Sequence, residues 1–594
     1  MHFQFRILLI FALLCAGGVK ASQTEQQKPY KIGLWPAVVF KGDKPWTLSQ
    51  RMEHYGVPGV SIALIKGFRV AWIKNYGLAD RQAGTPATAD TLFQAGSISK
   101  PVAAFGALQM VEAGQLKLDE DVNATLKNWK LPENEFTAQQ KVTLRQLLSH
   151  TGGLTVHGFW GYPPDQPAPS LEQVLDGSGP ANSEPVRVDK LPGESFRYSG
   201  GGYSIAQQMM IDASGQPFPQ LMQKLLLGPV KMDRSTYQQP LPADWLKHAA
   251  AGVLPNGADV PGKRHTYPEM AAAGLWTTAE NLALFVVEFQ NALRGLSELM
   301  SQDMAWNMVY PVDSGYALGL SVKDRAGTGY FGHGGWDEGF SAEMVASIDH
   351  GYGVVVMTNS NHPDFIKEVI RGVAFAYGWG GYDVLTKQAV PPEFLTSAPG
   401  RYRYDGATTI NVYSEENRLF MRYTGEQPEE LFFVGKNQFL RRTRDTPVRF
   451  TGDGDERKFS FVVSSDDQPP RPILAADETL PGEVLENGSF AEAVTAFQQA
   501  LKSNPDDQAL SESAINNSGM DKLAANREFG IALLRINTML YPDSAKTWDS
   551  LGYAYKFAGQ RDKAIESYRA ALQRDADFSS AKAALEQLSN IQKE

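Results

Sequence analysis

Cysteine is all but missing: Cys15 is the only one in 594 residues. It falls in an N-terminal stretch patterned as a secretory signal. Met1–Arg6 carries one positive charge, Ile7–Leu14 is apolar, and Val19-Lys20-Ala21 sets small residues three and one positions before a cut. Lipoprotein processing wants a small residue ahead of the cysteine, where Leu14 stands. Cleavage after Ala21 predicts a periplasmic or secreted mature chain without cysteine. That excludes disulfides, thiolate nucleophiles and cysteine-based metal or redox sites. The competing reading is an N-terminal anchor left uncut. No later run of 18 or more apolar residues occurs, so no membrane span is expected after cleavage. A basic excess is missing too. With 56 Lys and Arg against 66 Asp and Glu, the net charge is -10, which argues against a nucleic-acid partner. No H-E-x-x-H cluster exists and His150 and His157 stand seven apart, so no metal site is predicted and His150 is read as a loop support.

What is present describes an ordinary globular protein, 43% hydrophobic and 21% charged, and too long for one core. Residues 22–44 read as a polar, Gln-rich linker and residues 45–385 as a mixed α and β domain. Within it, Ser61–Ile65 and Arg69–Ile73 suggest a hairpin turning at Lys66-Gly67. Pro101–Ala113 suits a buried helix, Thr277 or Thr278 a helix cap, and Gly353–Met357 a core strand. Residues 393–470 change to short alternating strands, predicting a small antiparallel β domain, a meander or partial barrel. Gln468–Pro472 is proline-rich and reads as a linker. Residues 480–594 are helical and repetitive. Trp548, Leu551, Gly552, Tyr555, Ala564 and Tyr568 match the tetratricopeptide pattern, with partial copies at Ala493, Phe497 and Pro505 and at Gly530, Leu534 and Pro542. Two readings of this tail stand side by side: it packs on the preceding domain, or its concave face binds a protein partner.

The chemistry centres on Gly96-Ser97-Ile98-Ser99-Lys100. Serine and lysine three apart share one helix face, and a serine at a helix start sits near the positive end of the dipole. A lysine whose pKa is lowered by burial can take the serine proton. The spacing alone is weak, and Ser579-Ser580-Ala581-Lys582 repeats it by accident. About a hundred residues on, Tyr198 precedes Ser199 and the three glycines Gly200-Gly201-Gly202, which suggests a hydroxyl held on a tight loop. Farther on, His333-Gly334-Gly335-Trp336 offers a strand edge whose N–H can face an oxyanion. An α/β-hydrolase reading of that His-Gly-Gly fails, because neither Gly202–Ala206 nor Gly339–Glu343 completes the G-x-S-x-G elbow.

These three stretches, in this order, resemble the β-lactamase-like serine hydrolases, the superfamily of class C β-lactamases, D,D-peptidases, D-aminopeptidases and family VIII carboxylesterases. Leu147–Leu154 and Ala272–Leu282 carry the same resemblance. It implies an α+β fold with an antiparallel sheet flanked by helices. It implies Ser97 as nucleophile, Lys100 and Tyr198 as its proton-handling partners, and the N–H groups of Ser97 and Trp336 as the oxyanion hole. His333, Gly334, Gly335 and Gly200 are expected to line the substrate pocket. No metal or organic cofactor is implied. The substrate class is a small-molecule ester, amide or peptide. Two departures stand out: Tyr198-Ser199-Gly200 where β-lactamases carry Tyr-x-Asn, and His333-Gly334-Gly335 where Lys-Thr-Gly is frequent. A neutral histidine suits a carboxylate less than a lysine does, so esters, or peptides held by another end, are favoured over penicillins. The rival class of function is a catalytically weak binding protein that senses cell-wall fragments and engages a partner through its repeats.

Overall fold

The structure, a computed structural model, describes residues 33–462, 470–505, 507–576 and 578–590. The expected signal segment, Cys15, residues 22–32 of the expected linker, Val463, Gln468 and Pro469 lie outside the described residues.

A seven-stranded sheet organises the first domain. Its order is Thr85–Pro86, Val70–Asp80, Gly59–Lys66, Tyr352–Thr358, Phe340–Ser347, Thr328–Asp337, Ser321–Arg325. Every neighbouring pair is antiparallel. The first strands of the domain thus pair with its last ones, and the helical region lies between them in sequence. Strands Gly59–Lys66 and Tyr352–Thr358 are apolar on both faces because both faces are covered. Ile62, Leu64, Val354 and Val356 pack under helix Pro363–Tyr377, while Ala63, Ile65, Val355 and Met357 join the larger core of the helical side. Helix Ser99–Glu112 is buried nearly all round in that core. There Phe105 makes edge-to-face contacts with Phe285 and Phe289 of helix Ala279–Leu293, at 5.9 and 6.5 Å. Each such pair is worth about 0.5–1.5 kcal/mol beyond burial. Thr278 caps helix Ala279–Leu293 by accepting the Asn281 N–H.

The second domain is an eight-stranded meander running from Gly400–Arg403 to Arg471–Pro472. A bridge between Tyr402 and Ile473 joins its ends, closing it as a barrel. The tight turn at Glu416-Asn417, both at positive φ, connects strands Thr409–Glu415 and Arg418–Tyr423. Two expected linkers are corrected here. Arg471–Pro472 is the closing strand, with proline at a strand end where its missing N–H costs no ladder bond. Residues 33–44 are docked rather than linking. Val39–Phe40 pairs in parallel with Val384–Leu385, and Phe40 packs on Phe432 of the barrel at 4.8 Å. Leu34, Val38, Val39 and Phe40 are buried, and these apolar residues are what the polar composition around them obscures.

The tail pairs helices Pro481–Asn487 with Phe490–Ser503, Glu512–Ala525 with Arg527–Leu540, and Ala545–Phe557 with Arg561–Arg574, followed by Ser579–Asn590. Glycine sets the close approach of one pair: a Cβ at Gly552 would stand 2.7 Å from the Tyr568 ring. The tail folds back on the first domain, where Tyr553 packs against Trp160 at 5.1 Å.

Candidate active site

Ser97 lies in a 3-10 turn, Gly96–Ile98, that runs directly into helix Ser99–Glu112. The turn is pressed against strand Thr328–Asp337. Gly96 has φ +53°, and a Cβ there would stand 2.5 Å from the Trp336 nitrogen. A Cβ at Gly335 would stand 1.9 Å from the Ala95 carbonyl oxygen. Only glycine at both positions lets the Ser97 turn and the strand touch, which brings the Ser97 and Trp336 backbones together.

The segment Ala272–Leu282 anchors the turn from the other side. The Ala95 N–H donates to the Leu275 carbonyl at 2.9 Å, and the Leu275 N–H donates to Ser99 Oγ at 2.9 Å. Phe93–Gln94 pairs with Trp276–Thr277. Lys100 is 2% exposed; its Nζ lies 3.0 Å from Ser97 Oγ and donates to the Ala272 carbonyl at 2.8 Å. Burial lowers the ammonium to about 7, with the Asp337 carboxylate opposing that shift. The Tyr198 ring centre lies 4.9 Å from Lys100 Nζ, and its hydroxyl is near enough to Ser97 for the serine to favour the phenolate. Burial raises the phenol, and the nearby Ser97 offsets part of that rise. The serine named from sequence as nucleophile and the lysine and tyrosine named as its partners therefore meet at one place.

The Tyr198 loop is held from below. Ser199 caps helix Gly200–Ser214 by accepting the Gly202 N–H, and donates to the Thr155 carbonyl at 2.6 Å. His150, at φ +61°, accepts the Ser199 N–H on Nδ1 at 3.0 Å, and its ring lies 4.2 Å from that of Tyr198. Burial and the Lys100 charge push its pKa well down, so the ring is neutral and carries its proton on Nε2. It is a support beneath the phenol. Among the described residues no cluster of three or more His, Cys, Asp or Glu side chains is arranged to hold a metal ion.

Two residues expected to face substrate are otherwise engaged. Gly200 is buried, and a Cβ there would meet the Phe159 ring at 3.0 Å and the His157 carbonyl at 3.2 Å. The space of an asparagine side chain is thus filled. His333 is 7% exposed, with both nitrogens engaged. Nδ1 donates to the Gly334 carbonyl at 2.5 Å, and Nε2 accepts from the Tyr316 hydroxyl at 2.9 Å. Burial first, then Lys100, takes its pKa down to about 3, so it brings no positive charge. Strand alternation explains the split: residues 333, 335 and 337 point inward, while Gly334 and Trp336 are exposed.

That alternation also carries a residue the motifs did not single out. Asp337 is fully buried beside the turn, near Lys100 and the Gly96 N–H, yet neither carboxyl oxygen completes a hydrogen bond among the described groups. Burial pushes its pKa well up, and Lys100 pulls it back. An acid two residues past Gly335 shares the inward face, so the period-2 pattern was the available signal. Glu269 is a second buried acid, raised by burial to about 8, with one oxygen 3.5 Å from the Tyr162 hydroxyl. Tyr316 and Trp160 carry no sequence signal of their place beside the cleft.

The chain matches the family model described as Beta-lactamase over residues 47–377, more than half of its length. Residues 545–578 match the tetratricopeptide repeat model. Penicillin-binding protein 4* of Bacillus subtilis is 23% identical over 71% of this chain and 95% of its own length. Protein flp of Staphylococcus aureus is 23% identical over 53% of this chain; the match spans 62% of that protein's length. Among solved structures, the octameric penicillin-binding protein homologue from Pyrococcus abyssi is 22% identical. It covers 72% of this chain and 98% of that one, with a TM-score of 0.48.

Proposed function

We propose, from the premise that the chain belongs to the Beta-lactamase family, that it is a serine hydrolase working through an acyl-enzyme on Ser97. The observation that carries this reading is the Lys100 amine 3.0 Å from Ser97 Oγ, with the Tyr198 ring 4.9 Å from the same amine. An amine with a pKa near 7 offers its lone pair at neutral pH, whereas a phenol raised by burial keeps its proton. Lys100 therefore takes the Ser97 proton as Oγ attacks the carbonyl carbon. The Ser97 and Trp336 N–H groups receive the oxyanion. When the tetrahedral adduct collapses, the bond to the leaving group breaks. The leaving group takes its proton from Tyr198, which is reprotonated from the Lys100 ammonium. Water then attacks the acyl-enzyme, gives its proton to the same relay, and releases the acid with Ser97 restored.

The substrates proposed are esters or amides of the carboxylesterase or D-amino acid peptidase type. His333 supplies no charge for a carboxylate, and this makes β-lactam turnover a minor activity. The rival reading, a weak binding protein for cell-wall fragments, draws on that missing charge and on the filled space at Gly200. Hydrolysis of p-nitrophenyl acetate and butyrate separates the two. Ser97→Ala should lose at least about 10³-fold in kcat, and Lys100→Ala about 10²–10⁴-fold. No turnover by the wild type, together with no labelling of Ser97 by a fluorophosphonate, supports the binding role. Export to the periplasm or medium through residues 1–21 is proposed with it; cell fractionation of the chain with and without that segment reads the difference.

A further inference from the structure

The outer rim of the cleft is built from two domains. On strand Thr328–Asp337, Trp336 points away from the inward face that holds His333, Gly335 and Asp337, and the next outward residue is Glu338. The Trp336 ring meets Trp160 edge-on at 5.9 Å, and Trp160 meets Tyr553 of the repeat helix Ala545–Phe557 at 5.1 Å. A row of rings thus leads from the residue proposed to donate its N–H to the oxyanion into the repeat tail. The tail presents Asp549, Tyr553 and Lys556, spaced four and three apart on one helical face, toward this rim. Lys556 is near enough to Glu338 for its charge to favour the carboxylate. Between Trp160 and Glu338 on one side and Tyr553 and Lys556 on the other lies a cavity of about 110 Å³. Trp160 and Trp336 nevertheless remain 42% and 37% exposed, an open aromatic rim beside the nucleophile.

The direction of the chemistry tells which part of a substrate reaches this rim. The leaving group must lie at Tyr198, which gives it a proton, and the Tyr198 ring neighbours those of His157 and His333 at 5.0 and 6.2 Å. With the carbonyl oxygen held by the N–H groups of Ser97 and Trp336, the third substituent of the carbonyl carbon is left to the remaining open side, which the exposed Trp336 and Trp160 rings border. That substituent is the acyl group. We infer that Trp160, Trp336 and Tyr553 form the acyl-binding site, that the repeat tail is one wall of it, and that the site selects apolar acyl groups of several carbons over acetyl. This rests on the serine-hydrolase reading above.

The test uses the full-length chain and a p-nitrophenyl series of acetate, butyrate, hexanoate and phenylacetate, which holds the leaving group constant. In the wild type, kcat/KM should rise from acetate to the longer or aromatic acyl groups. Tyr553→Ala and Trp160→Ala should each lower the hexanoate-to-acetate ratio about tenfold, mostly through KM, the scale of one lost aromatic contact. Tyr553→Phe, which keeps the ring, should restore the ratio. Arg569→Ala, exposed on the following helix, should leave it unchanged. Should Tyr553→Ala fail to fold, Trp160→Ala reads the same ratio from a residue already half open to solvent. An unchanged ratio in a folded Trp160→Ala, or a wild type that prefers acetate, overturns the acyl-site inference while leaving the hydrolase standing. A wild type that neither hydrolyses any of the esters nor is labelled at Ser97 overturns both.

Discussion

A single methyl group tests whether the oxyanion hole lies where the strand meets the nucleophile turn. At Gly335 an added Cβ would stand 1.9 Å from the Ala95 carbonyl oxygen, where ordinary contact begins at about 3.4 Å. Gly335→Ala therefore forces strand and turn apart by about 1.5 Å, or tilts one against the other. The obstacle is backbone, so no side-chain rotation relieves it. Overpacking of this kind costs about 1–3 kcal/mol, which a two-faced core of this size tolerates. The catalytic cost is larger. Displacing reacting groups by about 1 Å costs on the order of 10²-fold, and losing one oxyanion donor about 10²–10³-fold. We expect kcat on p-nitrophenyl butyrate to fall by at least about 10²-fold, with KM changed by less than about threefold and the far-UV circular dichroism preserved. Gly158→Ala, where no atom lies within 4 Å of the new methyl, serves as control and should be silent. Wild-type kcat in a folded Gly335→Ala chain would refute the pairing of Ser97 and Trp336.

Four further outcomes follow from the electrostatics and supports of the site. The pH profile of kcat/KM should rise through about 7 and level off above it, because the proton must leave Lys100 before the amine can act; activity that is flat from pH 5 to 9 would contradict Lys100 as base. Asp337→Asn removes the acid that opposes the lowering of the lysine by burial, so the acid limb should move to lower pH; a limb that stays in place denies Asp337 this role. His150→Ala removes the acceptor of the Ser199 N–H and the ring beneath Tyr198, so kcat should drop about 10–100-fold with little change in KM. A chromogenic cephalosporin should be turned over at least about 100-fold less efficiently than the best ester; efficient turnover would mean that a cation other than residue 333 holds its carboxylate.

The local parts of this site were legible because short-range physics dictates them. Serine and lysine three apart share a helix face in any helix, and a tyrosine before a run of glycines marks a tight loop. Strands such as Gly353–Met357 announce themselves by being apolar on both faces. What stayed hidden depends on distant packing. Leu34 to Phe40 sit in polar surroundings, and only the edge offered by Val384–Leu385 turns them into structure. Arg471–Pro472 reads as a linker until the other seven strands exist for it to close. His333 looked substrate-facing because its motif lies on the cleft strand. It lies on the face that meets the Ser97 turn, but the Tyr316 hydroxyl and the Gly334 carbonyl occupy both its nitrogens. The repeat pattern around Trp548 was plain, but nothing within it told that Tyr553 would face Trp160.

The identity of residue 333 bears on which partner of Ser97 is the base. A lysine there would set an ammonium near Tyr198, whose ring lies 6.2 Å from that of His333. At an effective dielectric of about 20, a unit charge at that range is worth roughly 2.7 kcal/mol, or about two pKa units, toward the phenolate. His333, with its pKa near 3, offers none of this, so burial leaves the phenol protonated. Burial acts on Lys100 in the opposite chemical sense, because for an amine the neutral form is the one with the lone pair. The same dry surroundings thus disable Tyr198 as a base and enable Lys100. Asp337 limits how far this goes: with no opposing charge, the amine would fall further below 7 and bind the serine proton too weakly. A neutral residue at 333 and a buried acid at 337, two steps apart on one strand face, therefore belong to one arrangement. In the proposed mechanism they move the work of deprotonation from the phenol to the amine and leave Tyr198 the task of giving a proton to the leaving group.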